Sequence, residues 1–515
     1  MSDSEYQELL RLREENKELK KQLQEIISAN KDLQEKLDII IAHMKKRNRK
    51  DFGQKSEKYN PRPALTVAPE ILAETIALPS EETGKKKIRR PKHILTQNVE
   101  TKIVEHKVKP EDIPCSLCST DRTCIGSEIT YQLERYSQSL KQLQHVQEVL
   151  ACPKCKNNVI VAEKPCPPIP KGTAGPGLLA HTIVSKYADF SPLYRLERIY
   201  KREGATIPRS TLSDWILASS FTLTPLVDLM KKKLLLSKVV KTDDSPVKVQ
   251  DREHKKKMRK GKMSVYIGDN KHPYNIFDFS PDQSFERNRK FLENFKGFVQ
   301  ADAAKGFDAL FQDGSKIEIG CNAHARRGPF DCLELYPKQV DALLNIYGKI
   351  YDVEEEAKNK TAAEKLALRQ TKAKPLFNEL KEKLAEINKE LTPNDPFAKA
   401  IAYTLRHWTA LTRYLDDPDF DIDNNESERA IKDFVLGRKN YLFVGSDAGG
   451  TAAAVHLSLV VSSKRNNIDP LAYLTDVLTK INSLKTSQLE QLLPDNWAKA
   501  KAKEKSNQPA NSRSP

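Results

Sequence analysis

Lys238-Val-Val-Lys-Thr-Asp-Asp-Ser-Pro-Val-Lys-Val249 is the stretch on which the fold turns. Val239, Val240 and Thr242 favour extended backbone and lead into Asp243-Asp244, so the run reads as a strand bearing an acidic pair. The charged segment Asp251 to Lys262 then makes a hairpin into Met263 to Gly268, and Tyr274 to Phe279 follows as a third strand. Gly297-Phe-Val-Gln-Ala-Asp302 gives another buried strand, ending on an aspartate, and Ile317 to Cys321 gives a fifth.

Three strands in meander, followed by strands joined through a helical crossover, predict an RNase H-like α/β core whose strand ends open into one cleft. The core is expected in two parts, 237–332 and 421–463. Between them, 333–420 is rich in Ala, Glu, Lys and Leu and reads as a helical insertion. After it comes Asp423-Asn-Asn-Glu-Ser-Glu-Arg-Ala430. Asp243 and Asp302 on strands, with Glu428 on a helix, are the oxygen ligands that would hold Mg²⁺ (or Mn²⁺) over a phosphodiester. Each has a plainer reading. Strand-end aspartates cap turns, and Asn425-x-x-Glu428 makes a capping box. Residue pattern alone leaves both open.

The chain has 515 residues, 38% of them hydrophobic and 30% charged, so several domains are expected. No apolar run approaches the ~18 residues of a membrane span. The polar start Met1-Ser-Asp-Ser-Glu5 has no secretory h-region, so the expected location is cytoplasmic, with no membrane partner. A net charge of +16 suits either a solvated lysine-rich surface or a polyanion partner; the clusters Lys85 to Lys92 and Lys255 to Lys262 favour the second.

Residues 5–50 form a multidomain chain's first element, a coiled coil. Leu9, Asn16, Leu23, Asn30, Leu37 and Met44 fall on a, while Leu12, Leu19, Ile26, Leu33 and Ile40 fall on d. A homo-oligomer follows, or an intramolecular helical partner. The stretch 51–110 reads as linker with a basic segment and a short strand near Thr101 to Val108. In 111–170, Cys115-x-x-Cys118 and Cys152-x-x-Cys155 have the spacing of a Cys₄ zinc site, with strands Ile129 to Tyr136 and Gln144 to Ala151 between the knuckles. Cys124, Cys166, Cys321 and Cys332 read as ordinary buried thiols. Helices at Gly177 to Tyr187, Leu193 to Lys201 and from Ile207 fill 171–236. Their arrangement suits a helix-turn-helix DNA reader entered through Arg209, Ser210 and Thr211, or any small helical domain. A helical segment, 464–498, and a disordered tail, 499–515, complete the chain.

FGQKSEK at 52–58, the two CxxC knuckles, IPRSTLSDW at 207–215, DDSPVKV at 243–249, GFVQADAAKGFDAL at 297–310, GCNAHARR at 320–327 and DNNESERAIKDFVLGRKNYLFVGSDAGG at 423–450 occur in this order. In that order the chain resembles the insertion sequence 66 family of DDE transposases, from the coiled coil to about Leu478. The resemblance implies a zipper-like N-terminal helix, a zinc-binding module, a helical DNA-binding region and an RNase H-like core with a helical insertion. It also implies Asp243, Asp302 and Glu428 as the catalytic triad. Asp244-Ser245 departs from the family's Glu-Thr and makes Asp244 a fallback ligand. Ala303 to Phe307 replaces a more Gly- and Tyr-rich run, and Asp433-Phe434 stands where Arg-Pro is common.

The implied activity is Mg²⁺-dependent cleavage at element ends and strand transfer into target DNA. His324, Arg326, Arg327, Arg429, Arg438 and Lys439 are candidate phosphate contacts, or solvated surface charge. The expected partners are double-stranded DNA, meaning inverted repeats and target, further copies of the chain, and companion proteins of the same element. The alternative is an inactive DNA-binding regulator of transposition.

Overall fold

The computed structural model describes residues 99–136, 139–155, 158–251, 253–254, 257–302, 310–311 and 314–507, with short pieces at 20–22, 24 and 95–96. The expected coiled coil, most of the linker with its basic cluster, the run 303–309 and positions 508–515 lie outside the described residues. Two compact units are present: one built around 319–423, the other from 84–318 together with 424–515.

In the larger unit, β1 (Leu95–Thr96) is followed by β2 (Glu100–His106), β3 (Thr123–Tyr136), β4 (Ser139–Ala151) and β5 (Val159–Val161). β4 lies between antiparallel β3 and parallel β2, and β5 adds antiparallel to β4. β3 and β4 are thus longer than the expected pair. β6 (Ala205–Thr206) returns to pair with β1. Helices Pro176–Tyr187, Leu193–Arg202 and Arg209–Leu234 match the three expected, and each starts beside a proline, where the missing N–H costs nothing. The third runs 26 residues and buries Leu212, Trp215, Ile216, Leu223, Leu226, Met230 and Leu234. One face of its body is core, while its first turn exposes Arg209 and Ser210.

The second sheet has β7 (Val239–Gln250), β8 (Met258–Ile267) and β9 (Asn275–Ser280) in antiparallel meander, then β10 (Gly297–Gln300) and β11 (Lys316–Ile319). Its order is β11-β10-β7-β8-β9, with β10 parallel to β7. β8 begins at Met258, inside what the sequence suggested was a charged hairpin. Its lysine there is paired: Lys262 Nζ lies 3.0 Å from Asp244 Oδ2 and donates to Asn288 Oδ1 at 2.6 Å. Helix Asp447–Arg465 packs along β9 and satisfies that strand's outward backbone. Ser458 Oγ accepts from Phe277 N at 2.8 Å, and Ser462 Oγ accepts from Asn275 N at 2.9 Å. Gly450 lets the helix approach: a Cβ there would fall 2.6 Å from the Phe279 ring.

The smaller unit is helical as expected, with Pro337–Ala357, Ala362–Leu368, Lys374–Lys389, Pro396–Arg406 and Trp408–Thr412. Fully buried Arg369 organises it, pairing with Glu354 at 2.7 Å and donating to the carbonyls of Tyr414, Asp417 and Phe420. Two expectations are corrected. Of the four cysteines expected to be ordinary buried thiols, Cys124 and Cys166 are exposed, whereas Cys321 and Cys332 are buried. Helix Pro494–Asn507 runs through the first half of the supposed disordered tail, started by Pro494 and closed against the core through Trp497, whose Nε1 donates to Asp476 at 2.9 Å. Among the described residues, no helix is long and apolar enough to cross a membrane.

Candidate active site and metal centre

The parallel pairing of β10 with β7 sets Phe298 against Val239, Val299 against Val240 and Gln300 against Lys241. Two residues further along each strand come Asp302 and Asp243, which therefore arrive at neighbouring positions. Both are half-buried. Glu428 occupies the first turn of helix Asn425–Tyr441, which packs across β7 and β8.

That helix is tied to β7 on both sides of Asp243. Asn424 Nδ2 donates to the carbonyl of Thr242 at 2.9 Å, a buried bond. Lys241 Nζ meets Glu426 Oε2 at 2.6 Å, and Arg465 holds the other oxygen of Glu426 at 3.2 Å. Near the helix C-terminus, Arg438 donates to Ser245 Oγ at 3.0 Å and to the Pro246 carbonyl. Asn424 is the N-cap and Asn425 the first helical residue, so the capping-box reading of Asn425 with Glu428 does not hold.

Electrostatics mark Asp243. Burial, the largest cause, pushes its carboxyl up to about 7; the Asp244 backbone N–H, 2.8 Å from Oδ1, opposes this, and the negative charges of Asp302 and Glu428 add to it. Asp244 points to the opposite face of the strand, as the pleat requires. There it meets Lys262 at 3.0 Å and Asn288 Nδ2 at 3.3 Å.

The other predicted contacts divide. Arg209 and Ser210 are exposed on the first turn of their helix, while Thr211 is buried. Arg429 and Lys439 are exposed, and Arg438 serves the helix anchor just described. Asp433 is neutralised by Lys464 at 2.9 Å. His324, Arg326 and Arg327 lie on helix Asn322–Phe330 of the smaller unit, with Arg327 exposed and His324 Nδ1 3.2 Å from Cys321 Sγ. Sequence reasoning missed the work of Asn424, Lys241 and Glu426. They stood in the motifs, but their partners are nearly two hundred residues away.

The second centre is the Cys₄ cluster. The sulfurs of Cys115, Cys118, Cys152 and Cys155 all lie within 4.8 Å of one another. Cys115 and Cys155 are 4.0 Å apart, and Cys118 and Cys152 3.6 Å. A tetrahedron with Zn–S bonds of ~2.3 Å has edges of about 3.8 Å, so the thiols have the arrangement such an ion requires. The Thr120 hydroxyl and N–H draw the Cys118 thiol down to about 6, while its crowded neighbours push Cys155 up to about 12. Asn158 Nδ2 adds a contact to Cys115 Sγ at 3.5 Å.

Comparison with known proteins gives one consistent result. A family model described as "Transposase IS66 family" matches residues 171–452, and the "IS66 C-terminal element" matches 458–494. The chain is 32% identical over 430 residues to the uncharacterized protein y4jD of Sinorhizobium fredii, covering 79% of this chain and 81% of that one. To the uncharacterized protein y4hP of the same organism it is 30% identical over 414 residues, covering 75% and 74%. With a family match across more than half its length, the chain belongs to the IS66 family of transposases.

Proposed function

We propose that this transposase is a DDE enzyme in which Asp243, Asp302 and Glu428 carry the chemistry on an RNase H-like core. The sheet order, a three-strand antiparallel meander extended by parallel β10 and then β11, supports that core. The observation that carries the reading is Asp243 itself: a half-buried carboxyl raised to about 7 and made less willing to ionise by Asp302 and Glu428. Three acidic groups whose charges oppose one another make a cleft that a divalent cation would relieve, and their hard oxygens suit Mg²⁺ or Mn²⁺. Bound there, Mg²⁺ would neutralise the phosphodiester and ease deprotonation of the attacking hydroxyl.

The chain's own residues position the reacting groups. β7 and β10 fix the two aspartates, and the Asn424 and Arg438 anchors fix the helix that bears Glu428. Water would attack first, freeing a 3′-hydroxyl at the element end; that hydroxyl would then attack target DNA, with no covalent enzyme intermediate. Exposed Arg209, Ser210, Arg429 and Lys439 are the candidates to hold DNA phosphates. A structural zinc on the four cysteines, and a homo-oligomer through the heptads of 5–50, complete the reading.

The test uses the inverted-repeat DNA flanking this gene in its own genome, labelled and incubated with protein and Mg²⁺. Wild type should cut at the repeat boundary and Asp302→Asn should not. Equal cutting by both would overturn the triad. Tight binding without cutting by wild type would point to the regulator or to a missing companion protein.

A further inference from the structure

Where helix Asn425–Tyr441 ends, the chain runs Tyr441-Leu442-Phe443-Val444. Phe443 N donates to the Tyr441 carbonyl at 2.7 Å, closing a three-residue γ-turn with Leu442 at its centre, φ 65° and ψ −39°. This positive-φ γ-turn is rare and strained, and a bulky side chain at its centre worsens it. The strain is held from both sides. Leu442 N donates to Arg438 O at 2.8 Å, and Arg438 is itself fixed to Ser245 and Pro246. Beyond the turn, Val444 bridges to β7: its N–H donates to Lys248 O at 3.0 Å and its carbonyl accepts from Gln250 N at 2.9 Å.

What this clamp displays is apolar. Leu442 is 64% exposed and Phe443 41%. Glycine would relax the turn, and a polar residue would suit its exposure; the chain has neither. The nearest exposed cation is Lys439, two residues before Tyr441, with Lys432 and Arg429 about 15 and 20 Å back along the same helix; the nearby acids Asp251 and Asp447 are both paired with Arg259, and Asp433 with Lys464. Apolar tips beside phosphate-seeking cations are the equipment of proteins that part stacked bases.

The distance to the carboxylates follows from two independent rulers. Along the helix, Glu428 to Leu442 is about 21 Å at 1.5 Å per residue. Along β7, Asp243 to the Val249 bridge is about 20 Å. Either corresponds to about six base-pair steps of duplex. We propose that Leu442 and Phe443 are a wedge that unstacks the element-end duplex within about six base pairs of the phosphate held at the carboxylates. This rests on the DNA-cleaving reading of the same site. Opening the end would give the cut strand the freedom to reach the triad and later the target.

The experiment uses the full chain and element-end duplexes carrying 2-aminopurine at successive positions near the boundary. Asp302→Asn protein, which should bind without cutting, should raise the fluorescence at one or more of them. Leu442→Gly with Phe443→Ala should bind the duplex, give no rise, and cut paired duplex at least about tenfold more slowly than wild type. A duplex mismatched at the opened step should restore its rate. Because glycine suits a positive φ, the Leu442→Gly single variant should keep or raise Tm while losing the fluorescence rise. The proposal is overturned by no rise at any position with Asp302→Asn, by unchanged opening or cutting in the double variant, by failure of the mismatch to rescue, or by a fall in Tm for Leu442→Gly. Equal cutting by Asp302→Asn and wild type would instead sink the triad, and the fluorescence arm would still decide the wedge.

Discussion

Asp243 and Asp244 share a peptide bond and little else. One feels the charges of Asp302 and Glu428, with its half-buried carboxyl raised to about 7; the other forms an ion pair with a buried lysine on the far face. Their substitutions should therefore separate. Asp243→Asn should lower Mg²⁺-dependent cutting by at least about 10²-fold, since one charged contact to the reacting centre is removed. It should not destabilise the metal-free protein near pH 8, because it removes a charge the fold resists; denaturant titration checks both halves. Asp244→Asn should leave Lys262 without its counter-ion, at a cost of about 3 kcal/mol, while the midpoint of a Mg²⁺ titration changes little. A reversed pattern would make Asp244 the ligand. His456 gives a pH prediction of its own. Burial holds its imidazole down at about 4, against an ordinary value of 6.5, with the carbonyl of Ile216 2.9 Å from Nε2. Between those values the unfolded chain binds more protons than the folded one, so stability is lost as pH falls below 6.5. The loss should reach about 2 kcal/mol by pH 5 and should shrink in His456→Gln.

At the scale of elements, the helix bearing Glu428 is placed by contacts to β7 rather than by its own caps. Asn424→Ala should leave the Thr242 carbonyl buried without a donor, costing about 1–3 kcal/mol. It should also lower the cutting rate at saturating DNA, since the helix that bears Glu428 moves; a purely structural role would leave the rate of the folded fraction unchanged. The same element shows what the sequence could and could not disclose. Strand-prone runs ending on Asp243 and Asp302, the two CxxC knuckles and the three helices of 176–234 were legible because periodicity and spacing are local. The start of β8 was not, because Met258 to Lys262 is charged and only the Asp244 and Asn288 partners make Lys262 tolerable in a sheet. Nor was the burial of Thr211 or the anchoring task of Arg438, since both depend on what packs against them. The helix through Asn507 was hidden by a composition typical of tails, and its Trp497 was the one overlooked signal.

At the scale of the whole molecule, the proposed reading gives the chain two centres of opposite chemical taste: the sulfurs of the Cys₄ cluster and the oxygens of Asp243, Asp302 and Glu428. Removing zinc should therefore unfold the 111–170 module without touching the triad. A strong thiol-competing chelator should strip the zinc measured by elemental analysis and lower the first unfolding transition, and Cys152→Ser should do the same; excess Mg²⁺ should rescue neither. The central claim is the carboxylate cleft, and anomalous diffraction from crystals of the protein soaked in Mn²⁺ tests it most directly. The account predicts a manganese peak bounded by Asp243, Asp302 and Glu428, lost in Asp302→Asn. A peak on Asp244, or no peak between the three carboxylates at a concentration that supports cutting, would contradict it.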